Sequence, residues 1–265
     1  MDNLLFPALL GLLQGLTEFL PVSSSGHLAV LLHLSGWEES LILPLIVWLH
    51  LATILAVMLY FRKEMASMTR GLTEWGPARD RSGQRLLLLV AAGTVATAAL
   101  VLPLRSHLLG LFSSPRVVPA GLGLTGLVLL LSDRIKGTKS ESRELNLWRA
   151  VLIGLVQGLA VVPGLSRSGS TIAAGLFLGI GREEAFTFSF LLAVPATLGA
   201  LVVTGDPLGA FTSGDIMVVL TGMAVAFASG YGALALLSRW VRRRRLYIFT
   251  IYCWCLAALL SYYII

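Results

Sequence analysis

The stretch QGLTEFLPVSSSGH, residues 14–27, decides the fold of this chain, because it recurs in altered form as QGLAVVPGLSRSGS at residues 157–170. In both copies an apolar segment is interrupted by a proline, Pro21 or Pro163, and continues through a serine-rich turn into a second apolar segment. Proline breaks a helix because it lacks the N–H donor and clashes with the preceding turn. Paired interrupted segments in the two halves of a membrane protein are the best sequence indication of its binding site.

The composition is that of a membrane protein that crosses the bilayer several times. Of the 265 residues, 56% are hydrophobic and 13% are charged, and the mean hydropathy is +0.84. A soluble domain of this size could not cover so much apolar surface. The first apolar segment has no basic stretch before it and no small-residue cleavage motif, so we expect mature structure there, not a signal peptide. Cys253 and Cys255 are expected to face lipid or to pack, since their spacing suits neither a disulfide framework nor a zinc site.

The net charge of +6 is explained by membrane topology and is not evidence for nucleic-acid binding. Most of the 20 Lys and Arg residues lie in three stretches, residues 62–85, 134–149 and 239–245. Basic loops of membrane proteins face the cytoplasm, so all three stretches are predicted to be cytoplasmic. The run Arg242–Arg245 is expected to anchor the topology and to contact anionic lipid.

With the basic stretches inside, the apolar segments must alternate across the bilayer. The predicted spans are residues 41–61, 86–104, 117–132, 184–203, 216–237 and 247–264, and the outer loops are residues 105–116 and 204–215. Segments 4–36 and 150–181 must each begin and end on the same side of the membrane, because otherwise the three basic stretches could not all be cytoplasmic. We therefore predict that each is a re-entrant helix hairpin, in which broken backbone is tolerated only inside the protein or along a cavity.

The predicted fold is an all-α polytopic membrane protein with an inverted-topology repeat, each half being one re-entrant helix hairpin plus three transmembrane helices. Because three is odd, the two halves have opposite orientations. Residues 1–132 form the first repeat, residues 133–149 a cytoplasmic linker and residues 150–265 the second repeat of a single membrane domain. The hairpins enter from opposite faces, and their broken tips are expected to meet near the midplane.

Three ionisable side chains, Glu18, His27 and Arg167, lie inside the apolar hairpins. Such residues are costly at membrane depth and are candidates for function. The alternative is a buried Glu–Arg pair that only braces the two hairpins. Gln14 and Glu18 share one helix face, and Ser24 and His27 share a face of a helix that begins past Pro21.

The two hairpin tips are predicted to bind an anion. Their hydroxyls and free N–H groups lie at helix N-termini, which favour negative charge, and Arg167 adds a planar cation suited to phosphate oxygens. Water or a hydroxyl attacking phosphorus is the chemistry that suits this arrangement best. We expect further substrate contacts from Gln14, Ser23, Ser25, Gly26, Ser166, Ser168, Gly169, Ser170 and Thr171.

The sequence offers a divalent cation few ligands. Glu18 is a single carboxylate beside Gln14, although Mg²⁺ often binds through one carboxylate together with substrate phosphates. No segment resembles a zinc site. The remaining histidines, His33, His50 and His107, are expected to pack or to lie at the surface.

The two motifs resemble a known family. Gln14, Glu18 and the run Pro21–His27 resemble the first signature of the bacterial undecaprenyl-diphosphate phosphatases of the bacitracin-resistance type. The run Pro163–Thr171 resembles the second signature, Phe188–Pro195 is also similar, and the resemblance covers essentially the whole chain. Many members carry Glu at the position of Gln14; the family pattern accepts either residue, but Gln weakens a two-carboxylate metal site.

The resemblance implies hydrolysis of undecaprenyl diphosphate to the monophosphate and inorganic phosphate, which recycles the lipid carrier for cell-wall synthesis and confers bacitracin resistance. It implies a multi-pass protein of the bacterial inner membrane whose site opens to the periplasm. It also implies dependence on Mg²⁺ or Ca²⁺, with Glu18 as the ligand. The sequence leaves open whether the chain forms a homodimer and whether it also flips lipid.

We expect Ser24 to be the nucleophile, with His27 as its base and later as the acid for the leaving group. Glu18 would polarise the nucleophile or hold the cation, and Arg167 would clamp the diphosphate. The rival is attack by His27 itself through a phosphohistidine. The alternative function is a secondary transporter or flippase for a polyprenyl phosphate, since broken helices in inverted repeats are also transporter architecture. A transporter needs no nucleophile, so the grouping of Ser24, His27 and Glu18 favours an enzyme.

Overall fold

The computed structural model describes residues 4–35, 39–73, 81–112, 114, 116–135, 143–204 and 216–264. Over these residues the chain forms α-helices and no β-strand. In chain order the helices are α1 (Leu5–Phe19), α2 (Ser24–Ser35), α3 (Glu39–Tyr60), α4 (Arg62–Thr73), α5 (Arg81–Phe112), α6 (Val117–Asp133), α7 (Leu147–Leu159), α8 (Arg167–Phe177), α9 (Arg182–Thr204), α10 (Ile216–Arg242) and α11 (Tyr247–Ile264).

The helices follow the apolar segments of the sequence. The six predicted spans correspond to α3, α5, α6, α9, α10 and α11, and the two predicted hairpins correspond to α1 with α2 and to α7 with α8. Helices suit such segments because a helix satisfies its own backbone hydrogen bonds, and the bilayer core provides no water to bond them. The prediction of an all-helical polytopic membrane protein is confirmed.

Helix length and composition identify the strongest membrane-crossing candidates among the described residues. The helices α5, α9 and α10 are long and apolar enough to cross a bilayer, and α3 with α4 is a fourth candidate, bent by 80°. The helices α1, α6, α7 and α11 are apolar but shorter. Large apolar side chains point outward, as at Leu88 (60% exposed), Val95 (67%) and Ile251 (60%), and these faces suit contact with lipid.

Two elements differ from the loops that the sequence predicts. Residues 62–85 contain the helix α4, which packs against α5 at a glycine contact: a Cβ on Gly83 would lie 2.1 Å from the carbonyl oxygen of Ser67. The helix α5 also continues through most of the predicted outer loop 105–116. The predicted outer loop 204–215 lies outside the described residues except for its first residue.

The three basic stretches gather at one end of the molecule. Arg182, at the start of α9, donates a 3.2 Å hydrogen bond to Asp133 at the end of α6. The backbone N–H of Tyr247, at the start of α11, donates to the same carboxylate over 3.1 Å. Arg85 of α5 pairs with Glu144 in the linker. These contacts place the linker on the same side of the molecule as the helix ends that the charge pattern assigns to the cytoplasm.

The first helix of each hairpin packs very closely on a long helix. The helix α1 lies against α10, and α7 lies against α5. A Cβ on Gly15 would lie 2.5 Å from the carbonyl oxygen of Ala226, and one on Gly154 would lie 2.2 Å from that of Gly93. Glycine permits such approaches between membrane helices. This packing holds the first helix of each hairpin against its partner helix close to the break.

Candidate active site

The candidate site lies where the two helix breaks meet. The break between α1 and α2 lies against the break between α7 and α8: a Cβ on Gly169 would lie 3.0 Å from the Cβ of Pro21. On the other side, a Cβ on Gly26 would lie 3.6 Å from the Cα of Gly164. The two motifs, which are far apart in sequence, therefore form one surface.

The second helix of each hairpin begins in the same way. The Oγ of Ser23 accepts a 3.3 Å hydrogen bond from the N–H of Gly26, and the Oγ of Ser166 accepts a 3.1 Å bond from that of Gly169. A serine at this position satisfies an N–H that the helix cannot. Ser23 has a φ of 66°, a costly conformation for a residue with a side chain. Strained backbone of this kind is concentrated at functional sites.

Glu18 is the centre of a hydrogen-bonded group that spans both hairpins. Its Oε2 accepts bonds from the Oγ of Ser24 over 2.7 Å and from the Nε2 of Gln14 over 3.2 Å. Its Oε1 pairs with the Nη2 of Arg167. The Glu18 side chain is only 7% exposed, and a buried charge persists when it is paired and hydrogen-bonded in this way. We call Gln14, Glu18, Ser24 and Arg167 the Glu18 cluster.

Arg167 is anchored on one side and accessible on the other. Its Nη1 donates a 3.3 Å bond to the Oγ1 of Thr197 on α9, while its Nη2 faces Glu18. The side chain is 22% exposed. A guanidinium has five N–H donors in a fixed plane, so Arg167 can hold these partners and still present donors to an anion.

His27 makes its hydrogen bonds outside the Glu18 cluster. Its Nδ1 lies 2.8 Å from the carbonyl oxygen of Ser23, and its Nε2 lies 2.6 Å from the hydroxyl of Tyr252 on α11. Ser24 therefore donates to Glu18 and not to His27. The role of His27 as the base for Ser24 stays a prediction.

The hydroxyls of the second hairpin divide into two groups. The Oγ atoms of Ser166 and Ser168 are buried and lie 3.2 Å apart, and Thr171 is buried and donates within its own helix over 2.8 Å. These three side chains hold the shape of the tip. Ser170, like Ser25 of the first hairpin, is half-buried and can face a ligand.

His50 is a site residue that the sequence did not reveal. We expected it to pack or to lie at the surface, but its Nε2 lies 3.6 Å from the Oε2 of Glu18, while its Nδ1 lies 2.9 Å from the carbonyl oxygen of Ile46. An ionisable residue within an apolar span was the available signal. His107 is exposed, as expected, and the side chain of His33 lies outside the described part of the structure.

The oxygen ligands for a divalent cation are few. Among the described residues no group of three His, Cys, Asp or Glu side chains could hold a metal ion. The Oε1 of Gln14 is buried beside Glu18 and has no hydrogen-bond partner. The amide nitrogen of Gln14, not this oxygen, faces the carboxylate, so Glu18 is the ligand that the Glu18 cluster offers to Mg²⁺ or Ca²⁺, and substrate oxygens would have to supply most of the others.

Comparison with known proteins gives matches over almost the whole chain. The family model described as "Bacitracin resistance protein BacA" matches residues 7–259. The chain is 42% identical over 254 residues to an undecaprenyl-diphosphatase of Syntrophotalea carbinolica, with 95% of each chain covered. It is 47% identical over 261 residues to one of Desulfosudis oleivorans (93% of each) and 42% identical over 262 residues to one of Geobacter metallireducens (94% of each). The matched region includes both hairpins and every residue of the Glu18 cluster.

Proposed function

The chain belongs to the BacA family of bacitracin resistance proteins, and we infer that it hydrolyses undecaprenyl diphosphate to undecaprenyl phosphate and inorganic phosphate. The Glu18 cluster is the observation that assigns this function to specific residues. It joins a hydroxyl, a carboxylate and a guanidinium from two hairpins inside an apolar protein. The reaction recycles the lipid carrier for cell-wall synthesis and confers bacitracin resistance.

Ser24 is the nucleophile in this proposal, and Glu18 is its base. The 2.7 Å contact between the Oγ of Ser24 and the Oε2 of Glu18 is within range for direct proton transfer. This hydrogen bond supports Glu18 over His27 as the base, which revises the expectation from sequence. Attack by Oγ on the terminal phosphorus breaks the bridging P–O bond and releases undecaprenyl phosphate, while the proton passes to Glu18.

Water completes the reaction. It attacks the phosphorus of the phosphoserine, the bond between phosphorus and the Oγ of Ser24 breaks, and Oγ recovers its proton from Glu18. The protons of the water leave with inorganic phosphate. The first leaving group is a phosphate monoester with a second pKa of about 6, so it needs little help from an acid. The demand on the protein is therefore to stabilise negative charge.

Arg167 meets that demand at the terminal phosphate. Phosphoryl transfer is catalysed mainly by positioning and by electrostatic stabilisation of the equatorial oxygens. The contacts of Arg167 with Thr197 and Glu18 fix its guanidinium in advance, so that little reorganisation is needed during the reaction.

We place a divalent cation at the same cluster. Glu18 would hold Mg²⁺ or Ca²⁺ together with substrate oxygens. When bound, the cation supplies positive charge to the phosphate oxygens. Glu18 would then serve both the nucleophile and the cation.

We also propose the inverted repeat of residues 1–132 and 150–265, with both hairpins re-entrant. The pairing of α1 with α10 and of α7 with α5 supports this symmetry. The same symmetry appears at the hairpin tips, each of which contacts a helix of the other half. Thr125 of α6 donates to the carbonyl oxygen of Gly164 over 3.0 Å, and Cys253 of α11 lies 3.5 Å from that of Pro21. The last helix of each half thus holds the hairpin of the other half.

The proposed orientation follows from charge. The end of the molecule that carries the basic stretches faces the cytoplasm by the positive-inside rule. We place the protein in the inner membrane with the Glu18 cluster open to the periplasm, as the family resemblance implies.

Phosphate release by the purified protein in detergent tests the function. We expect inorganic phosphate from undecaprenyl diphosphate in the absence of any sealed compartment. A secondary transporter or flippase would bind the lipid under these conditions but could not convert it. Binding of undecaprenyl diphosphate without phosphate release would therefore contradict the proposed function and support the transporter alternative.

A further inference from the structure

Tyr252 on α11 is the direct partner of a motif residue, although the tyrosine itself lies far from both motifs in sequence. Its hydroxyl lies 2.6 Å from the Nε2 of His27. The two rings are nearly parallel, with centroids 5.7 Å apart and planes inclined by 9°. The tyrosine therefore lies beside the imidazole and contacts it through its hydroxyl.

The hydrogen bonds of His27 define which of its nitrogens carries the proton. A carbonyl oxygen can only accept, so the Nδ1 that faces the carbonyl of Ser23 must carry a proton. The Nε2 of the neutral ring is then an acceptor, and the hydroxyl of Tyr252 donates to it. The hydrogen bond made at one nitrogen selects the tautomer at the other.

The position of Tyr252 is set by contacts on both sides of it in α11. Thr250 donates to the carbonyl oxygen of Gly126 over 3.0 Å, and the indole of Trp254 donates to that of Gly123 over 3.0 Å. Both bonds fasten α11 to α6. Because the neighbours of Tyr252 are held to another helix, its hydroxyl cannot move freely away from the first hairpin.

We propose that Tyr252 is a positioning residue that fixes the tautomer and the ring orientation of His27 at the first hairpin tip. The hydroxyl holds the Nε2 lone pair toward α11, and this bond together with the bond at Nδ1 limits rotation of the imidazole. This holds His27 in one orientation one helical turn from Ser24. The inference rests on the proposed hydrolase function, within which it names a residue that acts through His27.

The alternative is that Tyr252 is only a lipid-facing aromatic residue. It is 46% exposed, and tyrosines are common where membrane proteins meet the interface. In that case removal of its hydroxyl would not depend on His27. A double-mutant cycle separates the two explanations, because residues that act through one another are not additive.

The first test is a double-mutant cycle that combines Tyr252→Phe with His27→Gln and measures the hydrolysis of undecaprenyl diphosphate. Tyr252→Phe keeps the ring and loses only the hydroxyl. We expect it to lower kcat about 10-fold, as for a lost positioning contact, because His27 holds the carbonyl of Ser23 beside the nucleophile Ser24; KM should be nearly unchanged. In the His27→Gln background it should have no further effect. Tyr262→Phe is the control, since Tyr262 lies near the end of the same helix and is 82% exposed.

The second test does not depend on catalysis. Diethyl pyrocarbonate reacts with unprotonated imidazole nitrogens, so the hydroxyl of Tyr252 should shield the Nε2 of His27. We expect Tyr252→Phe to increase the rate of modification at His27, located by peptide mass spectrometry, and Tyr262→Phe to leave it unchanged.

The outcomes separate failure of this inference from failure of the proposed function. A wild-type protein that releases no phosphate would contradict the function, while faster modification of His27 would still support the Tyr252 contact. An active wild type with an equally active Tyr252→Phe variant would overturn the positioning role. Equal losses from Tyr252→Phe in the wild-type and His27→Gln backgrounds would also overturn it.

Discussion

At the residue scale, the site depends on one carboxylate that serves both hairpins. Glu18 accepts from Ser24 and Gln14 of its own hairpin and pairs with Arg167 of the other. His50 adds a fourth neighbour from α3. A single change at Glu18 should therefore affect the nucleophile and the phosphate clamp together.

Glu18→Gln should lower the rate on the order of 10²-fold or more, which is within the range for acid–base groups. The amide keeps the size of the side chain but cannot take the proton from Ser24. Gln14→Glu should retain most of the activity, since the family pattern accepts Glu there. Phosphate release by the two purified variants checks both expectations. An inactive Gln14→Glu protein beside an active Glu18→Gln protein would reverse the assignment.

Arg167→Lys should also reduce turnover sharply, on the order of 10²-fold, although the charge is kept. A single ammonium cannot reach Thr197, Glu18 and a phosphate with the fixed geometry of a guanidinium. Steady-state kinetics with undecaprenyl diphosphate measure the loss. Arg116→Lys, at an exposed arginine, is the matched control. Near wild-type turnover for Arg167→Lys would exclude a clamp that needs the planar fork.

The sequence predicted neighbours within one helix better than contacts between helices. Helical spacing placed Gln14 and Glu18 on one face, and the structure joins them. The same rule suggested that His27 would serve Ser24, whereas Ser24 turns back across the break to Glu18. The contacts of His50 and Tyr252 come from separate helices, for which spacing along the chain carries no information.

At the element scale, two close helix pairs hold the hairpins in place. The helices α1 and α7 approach α10 and α5 at glycines, and each hairpin breaks just beyond that contact. The proline after each apolar segment was visible in the sequence, but the partner helix was not. The repeat of the break was therefore predictable, while the pairing needed the structure.

Gly154→Ala should destabilise the protein by about 1–3 kcal/mol, the usual cost of inserting a methyl group into a packed contact. Its Cβ would lie 2.2 Å from the carbonyl oxygen of Gly93, and backbone cannot move aside easily. Gly232→Ala in α10 is the control, since nothing lies within 4 Å of its Cβ, and alanine there should stabilise the helix by about 0.5–1 kcal/mol. Thermal unfolding in detergent compares them. An equal or higher Tm for Gly154→Ala would contradict close packing of α7 on α5.

The helix α4 shows where hydropathy fails as a guide to elements. Its residues, Arg62–Thr73, are largely polar, and the charge count assigned them to a cytoplasmic loop. The segment is nevertheless helical because one side of it packs against α5 beyond the 80° bend. Tertiary packing of this kind leaves only a weak trace in composition.

At the scale of the whole molecule, the proposed inverted repeat brings two motifs from opposite halves into one site within an apolar body. A substrate that keeps its tail in lipid can bring a diphosphate to this depth. A soluble diphosphate gains no binding energy from the surrounding bilayer. The architecture therefore favours an amphiphilic substrate.

Undecaprenyl diphosphate should have a kcat/KM on the order of 10²-fold or more above that of inorganic pyrophosphate, because binding energy from a remote part of a substrate is used in its transition state. Shorter polyprenyl diphosphates should fall between the two. Assays in matched detergent micelles, with the variant Glu18→Gln as the blank, give the series. Equal kcat/KM values for pyrophosphate and the long-chain lipid would contradict selection by the membrane-embedded site.

In the proposed mechanism Ser24, activated by Glu18, takes the phosphoryl group. The most direct measurement is acid quenching of a single turnover with lipid labelled at the terminal phosphate, followed by peptide mapping. A phosphoserine ester survives acid, whereas a phosphohistidine is lost in acid and survives base. We expect acid-stable label on Ser24 and none in Ser24→Ala. Acid-labile, base-stable label on His27, or turnover by Ser24→Ala at the wild-type rate, would contradict it.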